Sequence, residues 1–299
     1  MKMKIYLGIL LNSILLISSK IYNLGEGDIY LPYPEPRDGW DVGEYCKSKN
    51  LQSPIEIPSM KDEHVKNDNG SKAQIIELLY TKISNTKVEF KHGHKWTTPD
   101  LDLGKIKIKL NETLFIYNLT SFHFHLYSEH RLESKQYPME LHLVHKNVNV
   151  SDKNNENLVL AILFDYADDK VNKFLNDIHL SNESKTITEA SISDLIKKDD
   201  TFYYYKGSLT TEPCTEHVNW IVFKDIKPMS YELFENFKKW VEGSNETCYG
   251  NGYGNARGPK PLNGREIYLE NEKGLDSSKN NFLVISMVSI WIYLLLILY

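Results

Sequence analysis

His123 and His125 lie two residues apart in Ser121-Phe-His-Phe-His-Leu-Tyr-Ser-Glu-His130. On an extended strand that spacing puts both imidazoles on one face. Glu140 and His142 repeat it in Glu140-Leu-His-Leu-Val144. If the two strands are neighbours, three imidazoles converge with a carboxylate beside them. Three neutral imidazoles and one water form a catalytic zinc arrangement, four-coordinate with one open position. Zinc lowers the pKa of that water to about 7, giving a hydroxide nucleophile at neutral pH. Metal-bound imidazoles need an outer acceptor, and Glu129 and Glu140 are near in sequence. A bare His-x-His pair is also the mark of ordinary core or surface histidines, and both carboxylates fit salt bridges equally well.

The elements around these residues read as strands. Lys105–Leu110 alternates as KIKIKL, and Leu114–His125 and Met139–Val144 hold further alternating runs. Leu158–Phe164 is continuously apolar, as expected of a central strand covered on both faces, and Asn219–Phe223 is another such run. Helical patterns are fewer: Val171–Ile178, and Ser230–Val241 with Ser230 as N-cap and Leu233, Phe234, Phe237 and Trp240 on one face. Lys61–Lys72 reads as a surface loop. The expected fold is α+β and β-dominated: a single domain with a large, mostly antiparallel twisted central sheet and a few short peripheral helices.

The chain has 299 residues, is 41% hydrophobic and carries net charge −5, which opposes disorder and gives no support for nucleic-acid binding. Residues 1–19 have a basic start at Lys2 and Lys4, an apolar stretch Ile5–Ile17 and a small residue at Ser19. That is the pattern of a signal peptide. Phe282–Tyr299 is uncharged and follows a polar stretch with small residues, Asn271–Asn281. The hydrophobic tail 276–299 therefore reads as a GPI-attachment signal or a short membrane anchor, leaving 21–275 as the folded domain. The expected location is the secretory pathway and cell surface, with the membrane reached through the tail or a GPI lipid. N-x-S/T sequons at Asn69, Asn111, Asn118, Asn149, Asn182 and Asn245 are candidate glycan sites.

His123-x-His125-x-x-x-Glu129 is also the core of a cupin metal motif, but the flanking glycines that motif expects are Tyr117 and Gln136 here. A larger set of segments resembles the α-class carbonic anhydrase family. They are Gln52-Ser-Pro-Ile-Glu-Ile57, Phe122-His-Phe-His125, Ser128-Glu-His130, Glu140-Leu-His-Leu-Val-His145, Gly207-Ser-Leu-Thr-Thr211, Asn219-Trp-Ile-Val222 and Asn255-x-Arg257. They occur in the family's order between Trp40 and Arg265.

The resemblance implies a zinc-dependent, reversible hydration of CO2 to bicarbonate and a proton. It makes His123, His125 and His142 the zinc ligands and Glu140 the outer partner of His142. Thr210 accepts the proton of the zinc-bound nucleophile and points its own proton to Glu129, while the Thr210 backbone N–H holds a substrate oxygen beside Thr211. Val144, Val159, Leu209, Val218 and Trp220 match the apolar CO2 pocket. Extracellular members imply a disulfide between Cys46 and Cys214, which leaves Cys248 over. The chain also departs from the family. Ser84 stands where fast members carry a proton-shuttle His, with His92 and His94 nearby in sequence. Ser121 replaces the Gln that accepts from the first ligand. Leu126-Tyr127 replaces Trp-Gly, and Glu212 replaces a Pro. The rival reading is a catalytically weak, carbonic-anhydrase-like surface module for binding or adhesion, its surface ligand unknown.

Overall fold

The computed structural model describes residues 46, 50–67, 71–87, 89–91, 95–97, 102–149, 151–167, 172–180, 186–211, 213–243 and 255–272. All lie within one compact unit, Asp38–Tyr299. The segments 1–19 and 276–299, the residues His92, His94, Glu212 and Cys248, and the sequons at Asn69, Asn182 and Asn245 fall outside them.

The strands in chain order are β1 (Glu56–Ile57), β2 (Val65–Lys66), β3 (Ala73–Tyr80), β4 (Ile83–Lys87), β5 (Glu89–Lys91), β6 (Lys95–Thr97), β7 (Gly104–Leu110), β8 (Thr113–Leu126), β9 (Arg131–Leu132), β10 (Met139–Asn147), β11 (Asn157–Tyr166), β12 (Thr186–Ala190), β13 (Phe202–Ser208), β14 (Glu216–Phe223), β15 (Lys227–Met229) and β16 (Ile267–Glu270). Among the described residues the α-helices are α1 (Lys173–Asp177) and α2 (Tyr231–Gly243). One 12-stranded sheet runs β2-β16-β13-β14-β11-β10-β8-β6-β5, with β7 also on β8, β3 on β7 and β15 on β11. Most of its pairs are antiparallel, while β11 is parallel to β14 and β15, and β16 to β2. Within the stretch read as a surface loop, Val65–Lys66 form β2 at one end of this sheet.

Alternation fixes which side each residue takes. Even residues of β11 (Leu158, Leu160, Ile162, Phe164) join one core cluster, and the odd residues Val159, Ala161 and Leu163 join another with Trp220, Tyr205 and Ile57. Both faces of β11 are therefore buried, as its unbroken apolar run requires. β8 changes parity. The β8–β10 register shifts between Val144 and His145, so Ser121 pairs with Val144 but Leu119 pairs with His145, leaving Thr120 as a bulge. One extra residue re-aims everything beyond it. Phe122, Phe124 and Leu126 face the first core on one side of the bulge, and Tyr117 and Leu119 on the other. Helix α2 starts where Ser230 Oγ accepts the Leu233 N–H at 3.2 Å, an N-cap. It lays Phe237 edge-on to Phe124, centroids 6.0 Å apart, behind the histidine face of β8.

Candidate metal centre

The β8–β10 register places His123 directly opposite His142, and His125 opposite Glu140. Three ring nitrogens meet: His125 Nε2 lies 3.1 Å from His142 Nδ1, which lies 3.3 Å from His123 Nε2. Outer partners fix two tautomers. Nδ1 of His125 donates to the Asn255 carbonyl at 3.0 Å, and Nε2 of His142 donates to Glu140 Oε1 at 2.6 Å. The facing nitrogens of these two neutral rings therefore carry lone pairs, and neither can donate to the other. A cation between them turns that repulsion into coordination. Two nitrogens each about 2.0–2.1 Å from a tetrahedral zinc lie about 3.3 Å apart, matching this spacing. The donor set fits zinc and leaves a fourth position for a small ligand.

Burial favours the neutral rings the metal requires: it lowers His142 and brings His125 down to about 4. Glu140 is fully buried, which alone would raise its pKa, but His130 and His142 hold it well below the usual carboxylate range. Its second oxygen accepts the backbone N–H groups of Glu129 and His130 at 2.7 and 2.8 Å. His130 Nδ1 donates to Glu140 Oε1 at 2.7 Å, so His130 Nε2 accepts from the Tyr205 hydroxyl at 2.7 Å. Tyr205 in turn meets Ser53 Oγ at 2.9 Å. The metal-facing ring is thus braced by a buried chain that ends on the segment Gln52–Ile57.

Burial pushes the Glu129 carboxyl up to about 7, against the pull of His142 and, more weakly, of the Thr210 hydroxyl. Oε1 accepts the Arg257 N–H at 2.8 Å, whereas Oε2 has no hydrogen-bond partner among the described residues. Thr210 is buried and Thr211 exposed, in the loop between β13 and β14. Cys214 is in the same loop and is bonded to Cys46, with Cα atoms 5.2 Å apart.

Val159 pairs with Val144 on one side and with Trp220 on the other, and Val218 and Leu209 belong to the same apolar cluster. The Trp220 and His142 ring centroids are 4.9 Å apart, so the apolar wall adjoins the imidazoles. Ser121 is buried beside Val144 and makes no hydrogen bond to His123 among the described residues. Ser84 is exposed on β4, opposite Glu189 of β12, in a two-stranded sheet separate from the strands that carry the imidazoles.

Sequence reasoning assigned no role to His130, Tyr205, Ser53, Asn255 or Arg257. Asn255 also accepts the Leu126 N–H at 2.6 Å and donates to the Phe124 carbonyl at 3.0 Å, which locks the end of β8. Its only sequence signal is the Asn255-x-Arg257 segment, because its partners lie some 130 residues away.

The sequence profile described as eukaryotic-type carbonic anhydrase matches residues 35–271. Alpha carbonic anhydrase 3 of Arabidopsis thaliana is 30% identical over 236 residues, 76% of this chain and 76% of its own. A carbonic anhydrase of Neisseria gonorrhoeae is 31% identical over 213 residues, 67% of this chain and 76% of its own. Among solved structures, the alpha-carbonic anhydrase of Thermovibrio ammonificans in complex with sulfanilamide aligns with a TM-score of 0.58 at 29% identity, over 75% of this chain and 88% of that one.

Proposed function

The chain belongs to the eukaryotic-type carbonic anhydrase family, and from that premise we propose how its residues divide the work. The activity is reversible hydration of CO2 to bicarbonate and a proton, with zinc as cofactor. His123, His125 and His142 hold the metal, which when bound supplies the Lewis acidity that makes water nucleophilic at neutral pH. Asn255 and Glu140 orient two of those rings. Thr210 Oγ1 accepts the proton of the attacking oxygen and donates its own to Glu129 Oε2, the one carboxylate oxygen of that residue left for it. This selects a single lone-pair direction for attack. Val144, Val159, Leu209, Val218 and Trp220 form a water-poor surface on which an apolar triatomic molecule can rest beside the imidazoles. Proton export passes to buffer, because Ser84 cannot carry a proton as an imidazole does.

The observation that carries this reading is the convergence of three ring nitrogens, two of them with lone pairs turned inward. Its test is stopped-flow CO2 hydration with zinc determined on the same sample. About one zinc per chain and chelator-sensitive hydration are expected. A folded, zinc-free, inactive protein would refute the reading in favour of a binding or adhesion module.

The chain is also read as entering the secretory pathway through residues 1–19 and as held at the cell surface by the tail 276–299, through a GPI lipid or a short anchor. The Cys46–Cys214 disulfide supports an oxidising compartment. The sequon asparagines Asn111, Asn118 and Asn149 are all exposed, as glycan attachment requires.

A further inference from the structure

Tyr127 stands two residues after His125 and two before Glu129. Four residues of extended strand span about 13 Å. Glu129 Oε1 nevertheless returns to 3.4 Å from His125 Nδ1, and Glu129 Oε2 lies 3.9 Å from His142 Nδ1. The chain makes that return at Tyr127, whose φ is +64°. In a regular antiparallel strand successive N–H groups point to opposite sides. Here the Tyr127 and Ser128 N–H groups both reach one stretch, donating to the Pro138 carbonyl at 2.9 Å and the Tyr137 carbonyl at 2.8 Å. The left-handed residue turns the second N–H to the side of the first, and Glu129 follows it beneath the imidazoles. Glycine takes that conformation freely, whereas a residue with a Cβ does so under strain. Such strain persists where the surroundings hold it. The tyrosine ring packs on Phe234 of α2, with centroids 6.3 Å apart and planes at 55°. Phe234 is buried and meets Tyr166 at the end of β11, centroids 5.3 Å apart, and Tyr166 meets Tyr231 at the start of α2 at 5.4 Å.

We propose that Tyr127 is a positioning residue for hydration: its ring, docked on α2, holds the left-handed turn that sets Glu129 beneath the imidazoles. This rests on the reading of Glu129 as the acceptor of the Thr210 proton. The three metal ligands stand on β8 and β10, whose pairing runs on to Leu126 and Met139, so they keep their places when the turn loosens. Glu129 lies beyond the turn and does not. Helix α2 thereby acts on the site through Tyr127.

The test uses the full zinc-loaded chain with three variants. Tyr127→Gly relieves the strain and removes the ring, Tyr127→Phe keeps the ring, and Phe234→Leu alters the surface on which it docks. In Tyr127→Gly and Phe234→Leu the zinc content is expected to match wild type, while kcat/KM for CO2 hydration falls about tenfold, on the scale of a misplaced group near the reacting atoms. kcat in dilute buffer, set by proton export, is expected to fall by less, so KM rises. Tyr127→Phe should keep both constants within about twofold of wild type. In the metal-free protein the Arg257 amide, which donates to Glu129 Oε1 at 2.8 Å, should exchange its hydrogen faster in Tyr127→Gly than in Tyr127→Phe. A ring that serves folding alone lowers Tm and the active fraction, and kcat and kcat/KM then fall together. That result, or an unchanged kcat/KM in Tyr127→Gly, would overturn the proposal. Loss of zinc in Tyr127→Gly would overturn it too, because the ring would then support the ligands rather than Glu129. If Tyr127→Gly does not fold, Phe234→Leu decides on the same two constants. A wild-type protein with zinc but no hydration would overturn the proposed function, whereas Arg257 exchange would still test the turn.

Discussion

Glu140 concentrates more of the site's order than any ligand. Its two oxygens accept from His142, from the His130 ring and from the backbone of Glu129 and His130. Glu140→Gln keeps the shape but turns one acceptor into a donor facing N–H groups. Zinc affinity should fall by about 10–100-fold, as for other outer partners of metal-bound His, and competition with a chromophoric chelator measures it. His145 makes a separate prediction. It is buried between the Tyr80 hydroxyl (2.9 Å from Nε2) and the Leu143 carbonyl (2.9 Å from Nδ1), and burial lowers its pKa from 6.5 to about 4. The unfolded chain therefore binds a proton on this residue between pH 6.5 and 4 that the folded chain excludes. Its contribution to stability is complete above pH 6.5 and is lost as pH falls to 4, about 3 kcal/mol in all. Urea unfolding of wild type and His145→Gln across this range should show a steeper loss in the wild type. Parallel pH profiles would show that His145 does not carry the effect.

At the scale of elements, β8 and β10 carry the three imidazoles, and β13 carries Gly207 and Tyr205. Gly207 on β13 has no room for a side chain: a Cβ would stand 2.1 Å from Ser53 Oγ, 2.8 Å from the Tyr205 ring and 2.9 Å from the Trp220 ring. Each of those side chains braces or walls the site. Gly207→Ala should destabilise by about 1–3 kcal/mol through overpacking, and hydration should fall beyond what the unfolded fraction explains. Denaturant unfolding and activity on one preparation separate the two effects. The bulge at Thr120 is the other element-scale device. It leaves Asn118 exposed while keeping Ser121 and His123 on the site face of the same strand.

Across the whole molecule, the Cys46–Cys214 bond closes 168 residues of chain and fastens the Thr210 loop to a segment near the start of the domain. Gln52 Nε2 adds a bond to the Cys214 carbonyl at 3.1 Å, and Arg257 Nη1 reaches Gln52 and Ser53 at 3.0 and 2.6 Å. Three distant stretches therefore meet beneath the active loop. Replacing both cysteines by serine should cost about 2–4 kcal/mol and lower hydration more than zinc binding, because the imidazoles sit on strands the bond does not touch. Equal stability with and without reductant would refute this.

The sequence by itself determined what depends on local period. Two-residue spacing put His123 with His125 and Glu140 with His142, and the apolar run of β11 announced a doubly covered central strand. The resemblance to a known family supplied partners that spacing could not, including the Cys46–Cys214 pair and the wall of Val144, Val159, Leu209, Val218 and Trp220. Tertiary structure alone decided the rest. Whether β8 and β10 are neighbours in the register that sets His142 opposite His123 is a matter of pairing. A one-residue bulge changes which face a residue takes, and no alternating run reveals it in advance. Asn255, Arg257 and the His130–Tyr205–Ser53 chain join residues far apart in sequence, so their hydrogen bonds leave no periodic trace.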